Sequence, residues 1–147
     1  MESPKRRTEF ETLLLNSLRE IVDDVIAWVV LPNHYHILAR VQSLGDMSAA
    51  LKHLHGTTSR QWNIEDDLTG KRRVWYKFAD TAIRNEAHLH TAFNYIHYNP
   101  VKHGCVNDPY EWRWSSLSLY YDDRGGEWIR EHWKLFTPSH DFGNGWD

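Results

Sequence analysis

Two histidines, His34 and His36, stand two residues apart, directly after the turn-forming pair Pro32 and Asn33. In a β-strand alternate side chains point to the same face, so this spacing places both imidazoles on one face, about 7 Å apart along the backbone. Imidazole nitrogens bind divalent metal ions and can also donate to a phosphate. The pair therefore predicts a metal or phosphate site, provided that a third group reaches it from elsewhere in the chain.

The same spacing also has an ordinary explanation. The chain holds 10 histidines among 147 residues, so a pair at this spacing can arise without a shared role. Two partly exposed polar side chains on a strand would give the same pattern. The apolar residues Tyr35, Ile37, Ala39 and Val41 alternate with the pair and predict a strand over residues 34–41 with one apolar face. Both interpretations of the histidines stay open on this pattern alone.

A second pair, Tyr95 and Asn99, lies in a segment with helical periodicity. Asn85 is a favourable N-cap for that helix, and Pro100 predicts its end. Residues four apart share one face of a helix, so Tyr95 and Asn99 are predicted to lie one turn apart on the same face. The ordinary interpretations are a half-buried helix tyrosine and a C-terminal cap residue, and they also remain open.

Basic side chains occur beside groups that often contact nucleic acids. The predicted helix after Asp46 carries lysine, arginine, serine and threonine, and a Lys-Arg-Arg run precedes Trp75, Tyr76 and Phe78. Lys and Arg contact phosphates, and aromatic rings stack on unpaired bases. A solvated helix face and a basic run before a buried aromatic strand are the alternatives. The candidate phosphate contacts are Lys52, Arg60, Lys71, Arg72, Arg73 and Lys102.

The elements that would position these residues predict an α+β chain. Short links join the predicted elements, and no repeat or linker interrupts them. The elements are a helix from Thr8 to about residue 23, strands over 25–31 and 34–41, a helix after Asp46, a strand or extended segment over 74–78, a helix from Asn85, a loop over 120–126, a helix over 127–136 and an irregular tail over 137–147.

Composition narrows the classes of protein that fit. The chain is 41% hydrophobic and 25% charged, values usual for one globular domain. No apolar run approaches the ~20 residues of a membrane-spanning helix, and no signal peptide is visible. The single Cys105 cannot form an internal disulfide, so we expect a cytoplasmic protein. A net charge of −3 argues against a protein whose whole surface binds nucleic acid, but it allows a local basic groove.

Four ordered motifs resemble one bacterial family. Residues 27–38 (Ala-Trp-Val-Val-Leu-Pro-Asn-His-Tyr-His-Ile-Leu) resemble the HUH motif of single-tyrosine, insertion-sequence-200-like transposases. The segments 82–86, 95–104 (Tyr-Ile-His-Tyr-Asn-Pro-Val-Lys-His-Gly) and 112–116 (Trp-Arg-Trp-Ser-Ser) follow in the order seen in the REP-associated tyrosine transposases, where REP denotes repeated palindromes. The 95–104 string is specific, and it gives weight to the histidine pair.

The resemblance implies a role for each matched residue. Tyr95 matches the nucleophile, and His34 and His36 match two ligands of a divalent ion, usually Mg²⁺ or Mn²⁺. Asn99 matches the position that completes the coordination. Two imidazoles and an amide oxygen also suit Zn²⁺ or Ni²⁺, so the sequence leaves the metal open. Tyr98 is the competing nucleophile, but it lies about 300° around the helix from Tyr95, so we rank it second.

The resemblance also implies a fold. Family members are ferredoxin-like α+β proteins in which a central antiparallel sheet carries the histidines and helices flank it. Here the motifs lie within about residues 25–120 of a single domain, 1–147. Family members usually begin with an aromatic-rich strand, whereas this chain begins almost at its first helix. We therefore expect an exposed sheet edge where that strand would pair.

The implied reaction is cleavage and rejoining of single-stranded or hairpin DNA beside repeated palindromes. A 5′-phosphotyrosine intermediate and a free 3′-OH would form. We expect the chain to act as a monomer or a homodimer, with DNA and no membrane as its partner. Two other classes remain open. One is a truncated, catalytically weak copy that only binds DNA, and the other is a small metal-dependent phosphodiesterase that uses water.

Overall fold

The computed structural model describes residues 1–76 and 78–146 and has the predicted α+β architecture. In this part of the chain no helix is both long and apolar enough to cross a membrane. The elements are α1 (Pro4–Leu18), β1 (Val22–Val30), β2 (Tyr35–Val41), α2 (Leu44–Glu65), α3 (Glu86–Lys102), a 3₁₀ turn (Pro109–Glu111) and α4 (Leu117–Leu135).

The sheet is an antiparallel hairpin of β1 and β2. Val29 pairs with His36 and Val30 with Tyr35, which fixes the register of the histidine strand. The other edge of β1 is extended by a short bridge, in which the Val30 N–H donates to the Trp114 carbonyl oxygen at 2.8 Å. Within the described residues β2 pairs only with β1, so its outer edge has no strand partner.

Helices cover both faces of the hairpin. On one face Tyr35 packs against Phe10 of α1, with ring centroids 5.1 Å apart. On the other face His36 packs against Tyr95 of α3, with ring centroids 5.6 Å apart. Because neighbouring strand residues point to opposite faces, the period of two sends Tyr35 into the apolar core and His36 toward the helix that carries the candidate nucleophile.

Several predicted boundaries are wrong for identifiable reasons. Helix α1 begins at Pro4 with Ser3 as N-cap, because the Ser3 hydroxyl accepts from the Arg6 N–H and proline suits the first helical position. Thr8 is therefore inside the helix rather than at its cap, and its hydroxyl donates to the Pro4 carbonyl. The helix ends at Leu18, and β1 already begins at residue 22.

Helices α3 and α4 are longer than their sequence signals suggest. Pro100 does not end α3, which continues to Lys102 and is capped by His103, so Asn99 is not a cap residue. A proline removes one backbone donor, and the last turn of a buried helix tolerates that loss. Most of the predicted loop over 120–126 is helical, but Gly125 has the non-helical angles φ +80° and ψ 160°, so α4 consists of two helical segments that meet at a kink there. Residues 74–76 and 78 form neither strand nor helix, so the strand predicted there is not seen in them.

A buried histidine gives stability a predictable pH dependence. His97 is fully buried, and its Nε2 lies 2.6 Å from the Ser116 hydroxyl oxygen. Burial, and to a lesser extent the nearby His132, lowers the pKa of His97 to about 3. The unfolded chain binds a proton at this residue below about pH 6.5, whereas the folded chain does not, so this stability is lost as the pH falls from 6.5 toward 3.

We expect this histidine to reduce the unfolding free energy by about 2 kcal/mol between pH 6.5 and pH 5. Urea titrations near pH 7 and pH 5 measure the loss, and in a His97→Gln variant most of that pH dependence should disappear. Replacement of the exposed His53 by glutamine is the matched control. An equal pH dependence in His97→Gln and the wild type would contradict the assignment.

Candidate active site

The histidine pair forms one wall of the candidate site. The rings of His34 and His36 lie side by side, with centroids 5.1 Å apart, as the strand spacing predicts. His34 stands just before β2, and its Nδ1 lies 2.8 Å from the amide oxygen of Asn33. That contact favours a proton on Nδ1 and directs the lone pair to Nε2, the arrangement that metal-binding histidines usually show. Sequence analysis identified Asn33 only as a turn residue.

Helix α3 supplies the opposite wall. Tyr95, Asn99 and His103 are four residues apart and therefore form one row along the helix. The His36 ring contacts Tyr95 at one end of this row, and the His34 ring lies 4.8 Å from that of His103 at the other. The ring contacts therefore bring His34, His36 and Tyr95 together, and Asn99 lies between Tyr95 and His103 in the helical row.

Asn99 carries the clearest chemical signal in the row. Its side chain is wholly buried, yet neither its amide oxygen nor its amide nitrogen has a hydrogen-bond partner among the described residues. A buried amide without partners is costly, and native proteins keep few of them without a ligand, an ion or a water to satisfy them. The unsatisfied oxygen suits an oxygen-seeking cation.

A divalent ion fits this donor set. Within the described residues no three His, Cys, Asp or Glu side chains converge as a metal site. The predicted donors are the imidazoles of His34 and His36 and the Asn99 amide. Neutral ligands leave a bound ion its full charge, and a three-ligand set leaves open positions for substrate oxygens. The residues present can hold a divalent ion, and the identity of that ion, Mg²⁺ or Mn²⁺ by the family resemblance, stays a prediction.

Tyr95 has a basic neighbour that the sequence did not reveal. Lys102, two turns further along α3, donates from Nζ to the Tyr95 hydroxyl oxygen at 2.9 Å. The same ammonium lies 4.8 Å from the centroid of the tyrosine ring. Lys102 was predicted as a phosphate contact, and that role stays a prediction; the geometry adds a direct contact with the candidate nucleophile.

The C-terminal tail covers Tyr95. Phe142 and Trp146 pack on its ring, with centroids 5.6 and 5.4 Å away, and the tyrosine is only 4% exposed. The chain passes so close at Gly143 that any side chain there would overlap the tyrosine ring. The sequence predicts an irregular tail but not this contact. Two aromatic residues four apart in a glycine-rich segment indicate only that the tail could pack against the rest of the protein.

Tyr98, the competing nucleophile, lies elsewhere. It is 48% exposed, and its ring lies 6.4 Å from that of Trp133 in α4. Neither candidate metal-binding histidine contacts it in the described ring contacts, whereas His36 contacts Tyr95 directly. This placement favours Tyr95 over Tyr98 as the candidate nucleophile.

The predicted phosphate contacts are not equally available. Arg72 is held by the protein itself: its Nε donates to Asn63, its Nη2 donates to the Trp62 carbonyl, and its Nη1 pairs with Asp66 at 2.8 Å. Arg73 lies 4.9 Å from the ring centroid of Tyr76. The side chains exposed to solvent are those of Lys52, Arg60, Lys71, Arg73 and Lys102.

The chain has relatives in sequence and in fold, although no protein-family model matches it. It is 29% identical over 133 residues to a REP-associated tyrosine transposase of Haemophilus influenzae, covering 80% of this chain and 76% of the relative. It is 32% identical over 98 residues to one of Escherichia coli, covering 64% of this chain and 54% of the relative, so that match spans about half the relative's length.

A solved structure has a similar fold. It is that of a REP-associated tyrosine transposase bound to a REP hairpin, with a TM-score of 0.63 and 26% sequence identity. The similarity covers 83% of this chain and 70% of that chain.

Proposed function

Because this chain is related in sequence and fold to the REP-associated tyrosine transposases, we propose that it cleaves and rejoins hairpin DNA with single-stranded flanks, using Tyr95. The observation that carries the proposal is the contact of the Tyr95 ring with the His36 ring, one helical turn from a buried Asn99 amide that has no hydrogen-bond partner among the described residues. A nucleophile beside a cation site is the arrangement that phosphodiester exchange requires.

The proposed reaction exchanges one phosphodiester for another. The Tyr95 oxygen loses its proton to solvent and attacks the phosphorus, forming the new P–O bond. The bond from phosphorus to the 3′ oxygen breaks, and that oxygen keeps the electron pair and takes a proton from water. The products are a 5′-phosphotyrosine and a free 3′-OH. Rejoining reverses these steps and needs no ATP, because the number of phosphodiester bonds does not change.

In this proposal His34, His36 and Asn99 hold a divalent ion. Such an ion would supply neutralisation of the phosphate charge that otherwise repels the nucleophile. Asn33 fixes the orientation of His34 through the 2.8 Å contact with Nδ1. The tail residues Phe142 and Trp146 cover the Tyr95 ring, so the tail must move away before the phenol reaches the phosphodiester and gives up its proton.

Lys102 assists Tyr95 as a positioning residue in this proposal. Its ammonium holds the hydroxyl oxygen at 2.9 Å and stabilises negative charge on that oxygen during attack and departure. We expect Lys102→Met to slow formation of the covalent adduct about a hundredfold, the usual size of losing one charged donor at a reacting oxygen. Lys102→Arg should retain part of the rate.

DNA affinity separates this role from a phosphate contact. With Lys102→Met the affinity for hairpin DNA and its salt dependence should stay unchanged, whereas removing a phosphate contact such as Lys52 lowers the salt slope by about 0.9. A lower salt slope in Lys102→Met, with an unchanged adduct rate at saturating DNA, would return Lys102 to the phosphate contacts.

A second candidate function is hairpin binding without catalysis. The observation that favours it is the cover on Tyr95, which leaves the nucleophile 4% exposed. In that case the protein would hold the DNA through its basic side chains and never reach the phosphodiester.

A denaturing gel separates the two functions. The purified chain is incubated with hairpin DNA labelled at the 5′ or the 3′ end, with Mn²⁺ or with EDTA. A metal-dependent protein–DNA band that retains the label 3′ of the cut supports the transferase. A native-gel shift without a covalent band supports binding alone, and cleaved DNA without a protein adduct indicates a phosphodiesterase that uses water.

A further inference from the structure

Three polar side chains that the proposed reaction does not use join α3 to α4. His132 of α4 is buried, and its Nδ1 lies 2.8 Å from the amide oxygen of Asn94 in α3. Its Nε2 lies 3.0 Å from Nδ1 of His90, which stands one turn before Asn94. Two imidazoles that meet through their nitrogen atoms share either a hydrogen or a metal ion, so the positions of the protons decide what the pair can bind.

The Asn94 amide fixes the proton positions in this group. Its nitrogen donates to the His132 carbonyl at 3.1 Å and to the Phe136 carbonyl at 3.0 Å, which uses both of its hydrogens. Its oxygen therefore accepts, and the donor is the N–H at Nδ1 of His132. Burial lowers the pKa of His132, so the ring is neutral near pH 7 and carries only that one proton. Its Nε2 is then a lone pair that faces His90.

The outer nitrogen of each ring also faces an oxygen atom. For His132 this atom is the Asn94 amide oxygen, and for His90 the Nε2 lies 3.7 Å from a carboxylate oxygen of Glu86. Histidines that bind metal ions usually donate their second ring N–H to a carboxylate, a carbonyl oxygen or water, which orients the ring and raises its basicity. The two rings therefore have the surroundings of metal ligands, with their inner nitrogens facing each other.

Packing holds one ring in place and leaves the other accessible. The rings of Phe93, Trp128 and Phe136 surround His132, with centroids between 4.9 and 5.1 Å away. The His90 side chain is 31% exposed, so an ion can reach the pair from solvent. Zn²⁺ binds imidazole nitrogens at about 2.0–2.1 Å, so two nitrogens of a tetrahedral shell lie about 3.3 Å apart. The observed 3.0 Å is close to that spacing.

We propose that His90 and His132 form a metal site of their own, for a nitrogen-preferring transition ion of the Zn²⁺ class. The ion takes the place of the hydrogen between the inner nitrogens, and that proton moves to Nε2 of His90, beside Glu86. Among the described residues no third His, Cys, Asp or Glu converges with the pair, so water completes the shell. The inference is independent of the proposed function, and the ion would fasten α3, which carries Tyr95, to α4.

Titration with Zn²⁺ alone tests this site without DNA or catalysis. A His34→Ala/His36→Ala chain lacks the candidate active-site ligands, and isothermal titration calorimetry counts the ions that it still binds. We expect one Zn²⁺ per chain, whereas Mg²⁺, which prefers oxygen ligands, should not bind. Zn²⁺ at about 100 times its dissociation constant should raise the melting temperature by about 5–10 °C.

Three further variants in that background locate the ion. His90→Gln removes one ligand and should lower the Zn²⁺ affinity about a hundredfold or more, and Glu86→Gln removes only the outer carboxylate and should lower it about tenfold. The Glu86 side chain is 88% exposed, so its replacement leaves the core intact. His53→Gln replaces an exposed histidine elsewhere in the chain and should leave the affinity unchanged. Melting temperatures without metal confirm that each variant folds.

Nitrogen-15 spectra of the histidine rings identify the atoms involved. Without metal, His132 should carry its proton on Nδ1, and Zn²⁺ should shift the signals of its Nε2 and of Nδ1 of His90. A proton on Nε2 of His132, no Zn²⁺ binding in the double-alanine chain, or an unchanged affinity in His90→Gln would overturn the inference and leave the pair as a hydrogen bond between helices. Equal weakening by Glu86→Gln and His53→Gln would overturn it as well.

Discussion

Replacing Tyr95 by phenylalanine is expected to abolish covalent protein–DNA adducts, a loss of about a thousandfold or more, because the variant has no oxygen with which to attack phosphorus. The ring itself remains, so its contacts with His36, Phe142 and Trp146 are kept. Folding and hairpin affinity should therefore change little. A denaturing gel measures the adduct, and a native gel on the same samples measures binding.

Tyr98→Phe is the matched control for this experiment. It removes the same oxygen from a tyrosine that is 48% exposed and lies against Trp133, away from the histidines. This variant should form adducts at the wild-type rate. Adducts that persist in Tyr95→Phe and vanish in Tyr98→Phe would show that the nucleophile has been assigned to the wrong tyrosine.

Replacing Gly143 by alanine, which adds one methyl group to the tail, is expected to speed adduct formation. A side chain at Gly143 would place its Cβ 2.6 Å from the Tyr95 hydroxyl oxygen, so Gly143→Ala cannot keep the tail in its present position. The positive φ of +80° at this residue adds backbone strain. Displacing the tail uncovers the nucleophile, and a shift of about 1.4 kcal/mol toward the uncovered state gives a rate about tenfold higher.

The same tail supplies a control for backbone strain. Gly145 also has a positive φ, +86°, but a Cβ there would meet nothing within 4 Å. Gly145→Ala should therefore leave the adduct rate close to that of the wild type. Single-turnover adduct rates and protease cleavage of the tail measure both variants. If Gly143→Ala releases the tail and adduct formation is slower, the tail supports Tyr95 rather than blocking it.

Periodicity alone predicts the parts of the site that depend on one element. The period of two placed His34 and His36 side by side, and the 3.6-residue period placed Tyr95 and Asn99 on one face. Both relations depend only on local geometry, and the structure shows both. The roles of these residues come from the family resemblance and await the adduct experiments.

Contacts between distant segments could not be predicted in the same way. Gly143 meets Tyr95 across 48 residues of chain, and nothing in the local sequence of either segment fixes that meeting. The contact of His34 with His103 likewise depends on how β2 lies across α3. Predictions of where helices end were wrong where the local signal did not decide the structure. At Pro100, for example, the buried helix continues past its proline.

Helix α3 fixes the spacing between two residues of the candidate site. Tyr95 and Asn99 are separated by about 6 Å of helical rise, and no loop between them can adjust that distance. One inserted residue between them would turn Asn99 about 100° away from the histidines. If Asn99 serves the same site as Tyr95, that site therefore depends on the number of residues in this one helical turn.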